Sequence, residues 1–167
     1  MQINEAKELN IGYKTIKNIA LVFQGTLLSN DFYLEGILKA MGAKITLIDS
    51  VSFEKCKNFF CSSDREIFEV TTVNDNEMLK RIFLAQALGH YVLHAQRGLT
   101  PCKVSSATKT KVSKEGFYFS LALLLKDEVV IKMIEDGFNN KQIANLFRVP
   151  EKIVEIKMVI LKNNGDI

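Results

Sequence analysis

The chain has 167 residues, 47% of them apolar and 25% charged, with a formal net charge of +3. This suits one compact domain, alone or with a small appended module, and an ordinary buried core. The charge is too small to indicate a nucleic-acid partner, and no apolar run approaches the roughly 18–20 residues that a membrane span requires. The first residues, Met-Gln-Ile-Asn-Glu-Ala-Lys-Glu, lack the basic-then-apolar order of a signal peptide. Cys56, Cys61 and Cys102 form no paired framework, and their odd number favours a reducing compartment, so a cytoplasmic location is expected. With no further Cys or His close in sequence, Cys56 and Cys61 are expected to be small packing residues rather than a metal site.

Along the chain, the first ten residues are polar and expected to be loosely docked. Residues 14–28 place Ile16, Ile19, Ala20, Phe23 and Leu27 on one stripe, a helical period. Ser29-Asn30-Asp31 reads as a stop and a new N-cap, followed by a helix through Met41 with Leu34, Ile37 and Leu38 inward. Gly42 ends that helix. Ala43–Asp49 is a strand by its β-branched content, and Glu66–Val73 alternates as a second strand. Between them, a short helix around Phe53–Phe60 is the expectation. Asn74-Asp75-Asn76 is a turn and cap for a long helix from Glu77 to about His94. That helix is apolar on most sides and must lie near the middle of the domain.

The composition then shifts. Arg97–Lys114 holds Arg97, Lys103, Lys109, Lys111 and Lys114 and no acid, and is expected to be a loop. Ser113 is expected to cap the next apolar helix, Lys114–Leu125. Residues 127–167 look like a separate helical module, with helices at Glu128–Asp136 and Lys141–Phe147 and a third starting at Val149-Pro150. Gly137-Phe138-Asn139-Asn140 is the turn between the first two, and Lys141–Lys162 has the order of a helix-turn-helix. The expected division is therefore 1–126 and 127–167.

Two segments carry the chemistry. Residues 85–94 read Ala-Gln-Ala-Leu-Gly-His-Tyr-Val-Leu-His, and residues 115–125 read Glu-Gly-Phe-Tyr-Phe-Ser-Leu-Ala-Leu-Leu-Leu. The first has the outline of the zinc-protease helix His-Glu-x-x-His. There, histidines at i and i+4 grip the ion from one helix face, and the glutamate takes a proton from the metal-bound water.

Together the two segments resemble the ImmA/IrrE family of bacterial metallopeptidases. That family carries Ala-His-Glu-Leu-Gly-His with a further histidine four residues on, then Glu-Ala-Asn-x-Phe-Ala-x-x-Leu-Leu-Met-Pro on the next helix. The resemblance implies an α+β fold. Its zincin-like domain would have a small, twisted, partly antiparallel sheet packed on a central active-site helix, with a C-terminal helical module beyond. Several members of the family cleave transcriptional repressors. By position, Gln86 stands where the first zinc histidine belongs and Ala87 where the general-base glutamate belongs. His90 and His94 are kept, Glu115 stands at the third-ligand position, and the Ala-Asn after it has become Gly116-Phe117.

These departures bear on chemistry. A catalytic zinc takes about three protein ligands and one open place for water, and the neutral amide of Gln86 is a poor partner beside imidazole. With Ala87 no adjacent carboxylate remains, and general-base assistance is worth roughly 10²–10⁴ in rate. Glu77 lies about 15 Å away along the helix at 1.5 Å per residue, and Glu115 would be a ligand or paired with His90. His94 is expected to support or pack the site. The degenerate set Gln86, His90 and Glu115 is thus expected to hold no cofactor, zinc being the metal if there is one. Gln86→His with Ala87→Glu is expected to restore metal binding.

His94 and the basic residues Arg97, Lys103, Lys109, Lys111 and Lys114 would flank the former cleft, either as a clamp for an acidic segment of a protein partner or as a solvated loop. Residues 127–167 carry six Lys or Arg against seven Asp or Glu. A DNA-binding role is therefore not expected, since phosphate contacts supply most non-specific affinity. The expected function is a pseudoenzyme that binds a protein partner such as a repressor, with no membrane association. The alternatives are an active metal-dependent endopeptidase using Gln86, His90 and Glu115, and a helix-turn-helix DNA-binding regulator.

Overall fold

The computed structural model describes residues 11–27, 33–52, 59–64, 67–94, 102–104 and 111–167. Helices α1 (Tyr13–Leu27) and α2 (Tyr33–Ala40) lead into strands β1 (Ala43–Ile48), β2 (Phe59–Asp64) and β3 (Ile67–Val73). Helix α3 (Glu77–Leu93), strand β4 (Cys102–Val104) and helix α4 (Lys111–Leu124) follow. Helices α5 (Asp127–Glu135), α6 (Asn140–Phe147) and α7 (Glu151–Asn164) complete the chain. The fold is α+β, and no helix among the described residues is long and apolar enough to cross a membrane.

Among the described residues the strands form one sheet in the order β1-β3-β2-β4. β1 pairs parallel with β3, while β2 runs antiparallel to both β3 and β4. The β2–β4 register sets Cys61 opposite Cys102. β2 and β3 pack on α3, whose opposite side is covered by α4. α1 in turn packs on α4, and α2 on α3.

Local sequence explains the framework. Gly42 adopts φ 87° where the chain leaves α2, a conformation that glycine takes without a Cβ penalty. Asn76 caps α3 by accepting the Leu79 N–H at 3.0 Å. Ile82, the run Leu84–His90 and Leu93 are all buried, so α3 has protein on most sides and forms the axis of the core. Each large apolar side chain enclosed in this way contributes about 1.5–3 kcal/mol. Asn139 and Gln142 form a reciprocal capping box at the start of α6.

Three expectations are corrected. Phe59 and Phe60 lie in β2, not in a short helix; the segment is held by pairing on both edges rather than by any local signal. Residues 97–114 are not a continuous loop, because β4 pairs with β2 inside that span and α4 begins at Lys111. Ser113 therefore sits within the first turn of α4 instead of capping it. The N–H groups of that turn have no intrahelical partners, so a serine there costs the helix little. The expected stop at Ser29-Asn30-Asp31 lies outside the described residues, as do Arg97 and Lys109.

Helices α5 and α7 are tied to α1 by a largely buried polar cluster. Lys157 of α7, with no exposed surface, bonds Asp127 at the start of α5 and donates to Tyr13 Oη at 2.6 Å. Tyr13 donates to Asp127 at 3.1 Å, and Lys17 stands 3.1 Å from the same carboxylate and 2.9 Å from Glu128. Burial works against the Asp127 charge, but Lys157 and Lys17 outweigh it and hold the carboxyl below its usual range.

Candidate functional site

α3 and α4 approach so closely that each uses a glycine to receive a ring from the other. A Cβ at Gly89 would lie 2.8 Å from Phe119 Cβ. A Cβ at Gly116 would lie 2.5 Å from His90 Nε2, 2.7 Å from Cδ2 and 2.8 Å from Cε1. The interlock brings His90 and His94 of α3 against Glu115 of α4, all three buried.

Glu115 meets His94, not His90. Its Oε2 stands 3.3 Å from His94 Nε2, and its Oε1 accepts the backbone N–H of Ile11 at 2.9 Å. The sequence had suggested a pairing with His90, which is one helical turn too early. His90 stacks beside His94, with ring centroids 5.8 Å apart and planes inclined by 42°. Neither His90 nitrogen has a hydrogen-bond partner among the described residues. Burial, with a smaller contribution from His94, pushes the His90 pKa down to about 3, so the ring is neutral at any ordinary pH.

Gln86 is buried one turn before His90, and Ala87 has no exposed surface. The position next to Gln86 thus offers a methyl group enclosed in the core. Of the basic residues singled out in sequence, Lys114 is exposed on α4. Lys103 lies in β4 and Lys111 opens α4, but their side chains lie outside the described residues. The structure therefore gathers His90, His94, Glu115 and Gln86, and leaves the proposed basic clamp without described contacts.

The donor chemistry does not fit a catalytic zinc. Such an ion needs about three good protein ligands at 2.0–2.2 Å with a fourth place open. Among the described residues, no three His, Cys, Asp or Glu side chains are grouped to hold a metal ion. Gln86 supplies only a neutral amide, and Ala87 beside it supplies no donor at all. Gly116 and the Ile11 backbone were missed as site elements. Gly116 was visible as a departure from the family pattern, but its role depends on which ring lies above it.

A separate cleft of about 560 Å³ opens at the other end of α3, lined by Leu34, Glu35, Met78, Arg81, Leu84 and Arg148 among others. Its charges are engaged within the fold. Lys80 lies 2.6 Å from Glu35, and Arg81 Nη1 donates to the Phe147 carbonyl at 2.6 Å.

Comparison with known proteins agrees with the two helices. The profile of the IrrE N-terminal-like domain, peptidase family M78, matches residues 62–158. Metallopeptidase ImmA of Bacillus subtilis (strain 168) is 31% identical over 91 residues, covering 52% of this chain and 53% of the relative. The chain thus spans about half the length of that curated relative. No solved structure matches the chain. The profile covers β2 to α7, including both helices of the site, and on that ground the chain belongs to the ImmA/IrrE family.

Proposed function

We propose that this chain is a catalytically degenerate ImmA/IrrE-family protein, zincin-like over residues 1–126, that binds a protein partner without cutting it. The observation that carries this is the pair of positions 86 and 87, which hold a buried amide and a buried methyl group. A zinc hydrolase would need a ligand and a general base there. His90 is neutral and enclosed, and neither of its nitrogens has a hydrogen-bond partner among the described residues. The partner class is a transcriptional repressor, the kind of protein that active members of the family cleave, met in the cytoplasm.

In this proposal the C-terminal helices pack and present surface instead of reading DNA. The turn Arg148-Val149-Pro150 joins α6 to α7, giving helix-turn-helix order. Yet residues 127–167 carry seven acids against six bases, and Glu151 opens α7 as an exposed acid. Metal analysis of protein purified without chelator tests the proposal. The expected content is below about a tenth of an equivalent of zinc, as for a site short of one ligand. Near-stoichiometric zinc, with repressor cleavage that a chelator stops, would refute it.

A further inference from the structure

We propose that the metal centre in this chain is disabled at three positions, not two, and that Gly116 is the third: it lets the His90 ring settle onto α4 in a pose from which it does not ligate. The argument starts from why a glycine is there. Gly116 lies inside a regular α-helix, with no left-handed backbone angle to require it. Glycine in such a place disfavours the helix by about 1 kcal/mol relative to alanine. Its use is space. The absent Cβ would lie at nearly equal distances from Nε2, Cδ2 and Cε1 of His90, which puts it over the face of the ring and not in the ring plane. The imidazole therefore turns its face to α4 and fills the space that a side chain at 116 would take.

The magnitude decides the consequence. Ordinary contact with a Cβ begins at 3.4 Å, whereas the nearest ring atom stands 2.5 Å from where that carbon would be. Real Cβ contacts essentially never fall below 3.0 Å, so the ring stands about 0.5 Å closer to α4 than any other residue at 116 would allow. Metal–ligand distances tolerate only about ±0.2 Å. On the neighbouring turn, Phe119 occupies the space left by Gly89 in the same manner, so α3 and α4 are held at this short separation from both sides. Supplying a histidine at 86 and a glutamate at 87 leaves His90 recessed. The inference rests on the proposed loss of the site at positions 86 and 87; it concerns the pose of His90 and not the identity of any partner.

Two measurements on the full chain test it. The first is metal uptake, read by Co²⁺ absorption and by zinc analysis. Gln86→His with Ala87→Glu should stay below about a fifth of an equivalent, and adding Gly116→Ala should bring the triple variant close to one equivalent, as for a three-ligand site. Near-stoichiometric uptake by the double variant, or a folded triple variant that takes up none, overturns the proposal. The second is a stability cycle, which decides the matter if the triple variant does not fold. Gly116→Ala alone should lower Tm by roughly 5 °C through overpacking. With His90→Ala present, the same substitution should raise Tm, because alanine is the better helix former. A Gly116→Ala effect that is the same with and without His90 overturns it. Stoichiometric zinc in the unaltered chain would refute the proposed function and this inference with it, whereas uptake by the double variant alone overturns only the inference, so the two failures are distinguishable.

Discussion

Glu115 Oε2 lies 3.3 Å from His94 Nε2, and the other oxygen of the same carboxylate accepts the N–H of Ile11. The acid that would hold a metal in a hydrolase here joins three parts of the chain: the segment before α1, the end of α3 and the start of α4. Removing it takes a partner from a buried imidazole and from a backbone donor together. Glu115→Ala is therefore expected to cost roughly 3–5 kcal/mol, the range for leaving a buried partner unpaired. Glu115→Gln, which keeps an acceptor for Ile11, should cost about half as much. Urea denaturation of both variants checks this; equal losses would mean that the acceptor kept for Ile11 contributes nothing and the carboxylate charge accounts for the whole effect, and no loss in Glu115→Gln would mean that the charge does nothing for His94.

The buried state of His90 makes stability depend on pH in one direction. Its folded pKa, about 3, lies below the value near 6.5 of an exposed histidine. Above pH 6.5 the ring is neutral in both states and nothing is lost. As the pH falls below 6.5, the unfolded chain takes up a proton that the folded chain refuses, so stability declines until the folded pKa is reached. The slope approaches 1.4 kcal/mol per pH unit, or about 2 kcal/mol lost by pH 5. Urea midpoints measured from pH 7.5 to pH 5 should fall more steeply for the unaltered chain than for His90→Gln. Parallel curves would show that His90 titrates in the folded protein.

Much of this was legible in the sequence where periodicity is strong. The stripe Ile16, Ile19, Ala20 and Phe23 gives α1, with Ile16 and Ala20 fully buried, and the all-round apolar run 84–90 gives the central position of α3. What failed to show was set by long-range pairing. Three residues, Cys102 to Val104, carry no periodic signal, and they form β4 only because Phe59–Cys61 lie alongside. The same pairing sets Cys61 opposite Cys102, forty-one residues on, which spacing along the chain does not reveal. At the site the residue types were readable but not their partners. One helical turn separates His90 from His94, and which of them meets Glu115 depends on the register of two helices locked by Gly89 and Gly116.

Arg81 fixes the junction between α3 and the C-terminal helices. Its Nη1 donates to the carbonyl of Phe147, the last residue of α6, at 2.6 Å. A cation at that end also meets the negative pole of the helix dipole. Arg81→Met keeps much of the apolar stem and removes the donor, so it should cost roughly 1.5–3 kcal/mol. The loss should appear as faster amide exchange in α6 while α3 stays protected. Uniform acceleration through the chain would indicate that the contact contributes only to global stability.

Asp127 and Lys157 should respond asymmetrically to removal. Asp127 is the hub: it bonds Lys157, accepts from Tyr13 and faces Lys17. Asp127→Asn leaves the Lys157 ammonium enclosed with no exposed surface and without the carboxylate it bonds, which is expected to cost roughly 3–5 kcal/mol. Lys157→Met removes the buried cation and keeps its bulk, while Asp127 retains Tyr13 at 3.1 Å and Lys17 at 3.1 Å. That change should cost no more than about 1–2 kcal/mol, because no charge is left stranded and the ammonium no longer has to be desolvated. Lys157 also lies 5.3 Å from the centre of the Tyr13 ring, so a small part of the loss is cation–π attraction. Chemical denaturation of the two variants decides the point: if Lys157→Met proves as damaging as Asp127→Asn, the hub is the lysine and not the aspartate.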